Sequence, residues 1–309
     1  MNHFLKNLLK FLVFGVVSYC LILVLWTNLI PYESFKRNMN YQIGGYGHTY
    51  TRFNEVDSLS HVDVLILGSS HAYRGVDPRI FEKNGISAFV LGSSSQTPLQ
   101  TLGLLKEYLP KLNPRIVLYE VYPGIFESDG VESSLDILAN HKLNWFDIRM
   151  ALRVNHLKSY HVLINDIFRE SFGMNKGVIE PLETEDDQYV SGGYVERVIT
   201  TTDYTEKIKV RNYTLREKQL QALEEIMDVL KSSRTPVVLI QAPISERLYT
   251  SRLNNAEVDE VLSQFGPYYN FNELMDLGDD RFYYDNHHLN QHGVEVFNKF
   301  LIEEILTKF

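Results

Sequence analysis

The sequence predicts an α/β fold with a central parallel sheet, carried behind one N-terminal transmembrane helix. Three observations predict it. Residues 62–67, 86–91, 115–121 and 236–241 are short apolar runs of strand length, rich in Val, Ile and Leu. Such runs suit strands buried on both faces, as in a parallel sheet. The stretches between them place apolar residues at helical spacing. Ahead of all this, residues 11–30 run without a single charge.

That uncharged run is about the length a helix needs to cross ~30 Å of hydrocarbon. A cleaved secretory signal has a shorter apolar core, ~7–15 residues, followed by a small-x-small site. Thr27-Asn28-Leu29-Ile30 is not such a site, and Tyr19 stands before Cys20 where lipoprotein processing needs a small residue. Lys6 and Lys10 precede the run. Residues 1–10 are therefore expected as a cytoplasmic tail and 11–31 as a retained anchor. The C-terminal domain is expected outside the cytoplasmic membrane, in a single-pass topology.

Residues 32–60 are polar and aromatic, with Gly44, Gly45 and Gly47, and read as a juxtamembrane connection. Residues 61–309 read as the folded domain. In 97–109, Leu99, Leu102, Leu105 and Leu109 share one broad helical face. In 215–230, Leu220, Leu223, Ile226 and Leu230 repeat that pattern. A weaker fifth strand is expected near 268–271. Residues 294–305 close the chain as a helix carrying Val296, Phe300, Leu301 and Ile305. Residues 125–210 break the alternation, with Trp145, the acidic Glu183-Thr184-Glu185-Asp186-Asp187 and Gly192-Gly193. They read as a loop-rich insertion over the strand ends, where open α/β sheets bind ligands, serving as a substrate lid or a docking surface.

Composition excludes several classes. The 309 residues are 44% hydrophobic and 22% charged, which describes a folded chain. A net charge of −9 with no long basic run argues against a nucleic-acid partner. The single cysteine, Cys20, lies in the apolar run, so the chain holds neither an internal disulfide nor a cysteine zinc site. His287, His288 and His292 cluster without a His-Glu-x-x-His pattern; no metal and no cofactor is expected.

Two segments carry chemistry. Leu67-Gly68-Ser69-Ser70-His71 follows the first apolar run, and Asp285-Asn286-His287-His288-Leu289-Asn290 precedes the last helix. Glycine permits a sharp strand-to-helix turn. A serine there lies near free helical N–H groups that favour developing negative charge. Asp285 and His288, three residues apart, supply a base and the carboxylate that orients it. Read blandly, the serines cap a helix, Asp285 caps a turn and the histidines pack or face solvent. His287 is the competing histidine; His288 is preferred because it directly precedes Leu289-Asn290 and the final helix. The order serine, aspartate, histidine is one that convergent triads use.

With these residues the chain resembles the SGNH (GDSL-like) hydrolase superfamily, in particular its membrane-anchored branch around the D-alanine transfer protein of teichoic acid and the alginate O-acetylation proteins. Gly68-Ser69-Ser70 matches the family's Gly-Asp-Ser block with serine for aspartate, which implies Ser70 as nucleophile. Asp285 and His288 match the closing Asp-x-x-His block. Gly92, in Val90-Leu91-Gly92-Ser93-Ser94-Ser95-Gln96, matches the oxyanion glycine. The Gly-x-Asn-Asp block is absent, and Glu120-Val121-Tyr122-Pro123-Gly124 stands in its place. The resemblance implies a three-layer, flavodoxin-like fold over 61–309, with the insertion unmatched. It implies Ser70, His288 and Asp285 as catalytic residues and the Ser70 and Gly92 N–H groups as oxyanion donors. His71, Arg74, Ser93, Gln96, Glu120 and Tyr122 are candidates for substrate contact.

The expected function is an O-acyltransferase or esterase on an envelope glycan, and the resemblance implies a multi-spanning membrane acyltransferase as partner. The alternative is a non-catalytic accessory protein that binds a glycan or that partner.

Overall fold

Where the sequence alternates apolar runs with helical stretches, seven strands form among the described residues. They are β1 (Val64–Gly68), β2 (Ala88–Gly92), β3 (Ile116–Glu120), β4 (Asp187–Val190), β5 (Tyr194–Arg197), β6 (Val237–Gln241) and β7 (Tyr268–Asn270). The structure is a computed structural model that describes residues 2–36, 39–175, 177–198, 207–277 and 280–308. Five strands make one sheet in the order β2-β1-β3-β6-β7, with every neighbouring pair parallel. Skipping the β4-β5 hairpin, this is the flavodoxin-like order, whose direction reverses between β1 and β3.

Both faces of the sheet are covered. Leu65 and Leu67 point into one core with Phe89, Leu91, Val117 and Tyr119. Val64 and Ile66 point into the other with Val90, Leu118, Val238 and Ile240. That alternation is the period of two of a strand. Removing one such buried leucine side chain costs about 2–5 kcal/mol. Helices Pro98–Leu112 and Glu217–Ser233 cover the first face. Pro98 opens the former, where a missing N–H costs nothing. Helix Gln291–Phe300 covers the second face through Val294 and Phe297.

Two segments differ from the expectation. Residues 32–60 include helix Thr49–Ser58, whose Phe53 and Val56 sit in the core, so the packed domain begins ahead of residue 61. Residues 125–210 are helical rather than loop-rich, with helices Val131–Asn140, Trp145–Val154 and Leu157–Ser171, then the antiparallel β4-β5 hairpin. Their Ile137, Leu138, Ala151 and Val162 join the first core. Residues 199–206 of this stretch lie outside the described residues.

The hairpin turn closes a sheet edge. Val90 N–H donates to Gly192 O at 2.8 Å. Gly193 has φ +85°, and a Cβ there would lie on the Val90 carbonyl. An exposed edge invites pairing with other chains, and this turn covers it.

Candidate active site

The turn that presents Ser70 is built by sterics. Gly68 ends β1 at φ +146°, and a Cβ there would come within 2.8 Å of Glu120 Cβ. A side chain would push β1 off β3. Ser69 then caps helix Ser70–Gly75, its Oγ accepting the His71 N–H at 3.3 Å. Ser70 becomes the first helical residue, beyond the carboxyl end of β1 where the strand order reverses. Gly92 ends β2 in register with Gly68, and a Cβ on it would lie 2.7 Å from the Gly68 carbonyl. The two expected oxyanion residues thus sit at the ends of adjacent strands.

The other half is a turn closed by its own carboxylate. Asp285 Oδ1 accepts the N–H groups of His287 and His288, both at 2.7 Å. Asn290 caps the next helix by accepting from Gly293 N–H at 3.0 Å, and donates to Arg281 O at 2.7 Å. Ser245 N–H, just past β6, donates to Asn286 O at 3.1 Å and ties this turn to the strand ends.

The two segments meet. Ser70 Oγ and His288 Nε2 are 2.8 Å apart. His288 Nδ1 is 2.9 Å from Asp285 Oδ2 and 3.1 Å from Oδ1. With Nδ1–H donating to the carboxylate, Nε2 is left to accept the serine proton. Burial opposes ionisation of Asp285. His288 and the two backbone N–H groups outweigh it and hold the carboxyl well below the usual range. Tyr284 stacks on the His288 ring at 5.4 Å and 6°, which limits its rotation.

His287 lies beside this set without joining it. Burial, then the neighbouring His288, pushes its imidazole down to about 4. His71 stacks on Tyr122 at 4.2 Å and lies 5.0 Å from His288, ring to ring. Burial first, then the two other histidines, pushes it well below the ordinary imidazole value. His71 Nε2 is buried with no partner among the described residues.

Several expected substrate contacts are corrected. Ser93 and Gln96 are fully buried and bonded to each other at 3.0 Å, with Ser133 and Thr101 completing the network. They brace the loop after β2 and present nothing to a substrate. Glu120 is also fully buried, beneath the Ser69-Ser70 turn, with its Oε2 3.2 Å from Ser69 Oγ. Burial pushes its carboxyl up to about 8 against the opposing Ser69 hydrogen bond. Arg74 lines the cavity beside His288 but its guanidinium is held in a two-bond pair with Asp187 of β4, each bond 2.8 Å. Tyr122 is nearly buried and meets the site through the His71 ring.

Sequence reading missed Arg52. It is fully buried, and its guanidinium donates to Gly92 O at 3.0 Å, Gly193 O at 2.8 Å and Gly47 O at 2.8 Å. It ties the peptide after Gly92 to the hairpin and to the loop before its own helix. The available signal was the amphipathic spacing of Phe53 and Val56 around it.

The cleft beside His288 is small. His71, Arg74, Pro243, His287, His288 and Leu289 line a cavity of about 10 Å³, close to the smallest volume that holds one water.

No family model matches the chain, and no curated protein matches it. Solved structures are similar to it, two of them as follows. One is a proposed acylhydrolase from Bacteroides fragilis NCTC 9343, 13% identical, with a TM-score of 0.42 over 85% of this chain and 97% of that one. The other is a GDSL-like lipase from Bacteroides thetaiotaomicron VPI-5482, also 13% identical, with a TM-score of 0.42 over 84% and 98%.

Proposed function

We propose that this chain is a serine acyl-ester enzyme, an esterase or O-acyltransferase, acting on an envelope glycan outside the cytoplasmic membrane. One observation carries the reading: the continuous Ser70–His288–Asp285 hydrogen-bond chain, 2.8 Å and then 2.9 Å.

Ser70 Oγ attacks the acyl carbonyl carbon while its proton passes to His288 Nε2. Asp285 stabilises the imidazolium that forms. The Ser70 and Gly92 N–H groups receive the oxyanion, each such donor being worth ~10²–10³ in rate. His288 returns the proton to the departing alcohol oxygen as that bond breaks, leaving acyl-Ser70. Water or a sugar hydroxyl then attacks the acyl carbon, losing its proton to His288, and Ser70 is released. Hydrolysis and transfer differ only in that last nucleophile.

One feature supports action at a membrane. Helix Asn2–Leu29 is long and apolar enough to cross a bilayer. A multi-spanning acyltransferase supplying the acyl group fits that placement. The test is labelling of the full chain in detergent with a fluorophosphonate, followed by turnover of a small acetyl ester. Label on Ser70, lost in Ser70→Ala, is the expected result. A folded chain that neither takes up label nor cleaves the ester sinks the reading.

A further inference from the structure

The N-terminal helix is not a free tether. Tyr19 Oη and His161 Nε2 are 2.5 Å apart, and Thr27 Oγ1 donates to Asn165 Oδ1 at 2.5 Å. Leu23, Val24 and Thr27 are the buried residues of Asn2–Leu29. Residues 19, 23 and 27 form one stripe on that helix, and His161 and Asn165 share one face of Leu157–Ser171. The two helices are docked side by side.

Helix length makes this docking consequential. From Phe11, where the uncharged run starts, to Tyr19 is only about 12 Å of helix rise. A hydrocarbon layer is ~30 Å thick. A bilayer that takes up the uncharged run therefore reaches the docked stretch, and the helix holding it.

The surface of Leu157–Ser171 matches that depth. Leu157 and Ile167 are 60% and 41% exposed, and Tyr160, Ile164 and Phe168 are half-buried. Their spacing is one helical stripe next to the His161 and Asn165 face. Phe172 and Met174 extend it, 70% and 49% exposed. Of the helix's charged residues, Asp166 and Arg169 are buried and paired at 3.4 Å, Glu170 accepts from Leu143 N–H at 3.0 Å, and Lys158 is half-buried in the first turn. A contiguous exposed apolar patch is uncommon on a surface that faces only water.

We infer that Leu157–Ser171 and the residues after it form a second membrane contact, an amphipathic helix laid into the lipid against the anchor. The occupant of the stripe is the bilayer, because the stripe is continuous with the helix that crosses it. The domain is then held at a fixed height and orientation rather than swinging on a leash. This rests on the reading of Asn2–Leu29 as a retained anchor.

The test uses the full chain carrying Cys20→Ser, reconstituted in phosphatidylethanolamine–phosphatidylglycerol vesicles. Single cysteines are introduced as Phe14→Cys, Ile167→Cys, Phe172→Cys and Leu253→Cys, each labelled with an environment-sensitive fluorophore. Leu253 is a 70% exposed reference on another part of the surface. Lipids with doxyl groups on their acyl chains quench from the bilayer, and iodide quenches from water. The expected result is several-fold stronger doxyl quenching at residues 14, 167 and 172 than at 253, with iodide quenching reversed. If 14 is lipid-quenched while 167 and 172 behave like 253, the second contact is overturned and the anchor stands. If all four are open to iodide, the anchor reading fails and the inference with it. If 167 and 172 are shielded from both quenchers, a protein covers the stripe and the assignment to lipid is wrong.

Discussion

Ser69 Oγ lies 3.2 Å from Glu120 Oε2 and 3.2 Å from His71 Nδ1, so a buried carboxyl and a buried imidazole meet at the residue before Ser70. Glu120 is the last residue of β3 and opens the segment that stands in place of the Gly-x-Asn-Asp block. It supports the turn from below. Its carboxyl is pushed up to about 8 by burial, so the protonated, uncharged form is favoured at neutral pH.

That shift has a signed consequence. The folded chain keeps the Glu120 proton across a range where the unfolded chain, near the ordinary value of 4.5, has lost it. Stability from this group is complete below about 4.5 and falls as pH rises towards about 8. Glu120→Gln removes the ionisation but keeps the shape. Measured by thermal melting, the variant should gain on the natural chain between pH 5 and pH 9. A constant difference in midpoint across that range would show that Glu120 does not titrate there.

The triad predicts a graded set of losses in ester turnover. Asp285→Asn should keep the fold and lose ~10⁴ in kcat, as expected when the imidazole loses the partner that sets its tautomer. His288→Ala should be as severe. His287→Ala should be mild, since His287 makes no bond to Ser70 among the described residues. His71 and His287 are both held neutral by burial, so the acid limb of activity should fit a single proton. That slope should persist in His287→Asn. A two-proton limb that becomes single in the variant would place His287 in the mechanism.

Gly68→Ala tests the turn. The new Cβ meets Glu120 Cβ at 2.8 Å and the Glu120 carbonyl at 3.0 Å, at a φ that side chains rarely adopt. A loss of about 2–4 kcal/mol is expected from strain and displaced strands. Urea unfolding reads it, and activity should fall further than stability because Ser70 moves with the turn.

Asp187→Ala tests the tie between the hairpin and the nucleophile helix. Arg74 and Asp187 are both largely buried, and Arg197 joins the same carboxylate at 2.9 Å. Burial would raise the Asp187 carboxyl, but Arg74 and then Arg197 outweigh it and push it down to about 2. Breaking such a pair costs roughly 3–5 kcal/mol, because the remaining charge is left without its partner. The natural chain should lose this contribution as pH falls from about 4 through about 2, where the carboxylate is protonated. Urea midpoints at pH 7 should separate the two chains clearly, and those at pH 2 should converge.

The sequence by itself determined the sheet and the register of its chemistry. β1, β2, β3 and β6 are continuous apolar runs buried on both faces, so local composition alone marks them. Ser70 and the Asp285–His288 pair stand at strand and helix boundaries, where Gly68 and Asn290 announce a turn. What only the tertiary structure decided is which polar groups face one another. Ser70 and His288 are separated by 218 positions; local spacing favours His288 over His287, but the 2.8 Å that joins it to Ser70 is a distance no local pattern contains. Ser93 and Gln96 follow a strand and Glu120 ends one, as site residues do, yet their partners lie inward, because a polar side chain at a strand end satisfies its hydrogen bonds in either direction. Arg52 was hidden for the same reason. A fully buried guanidinium is affordable only where three carbonyls from distant segments converge on it, and that convergence exists only once the chain has folded.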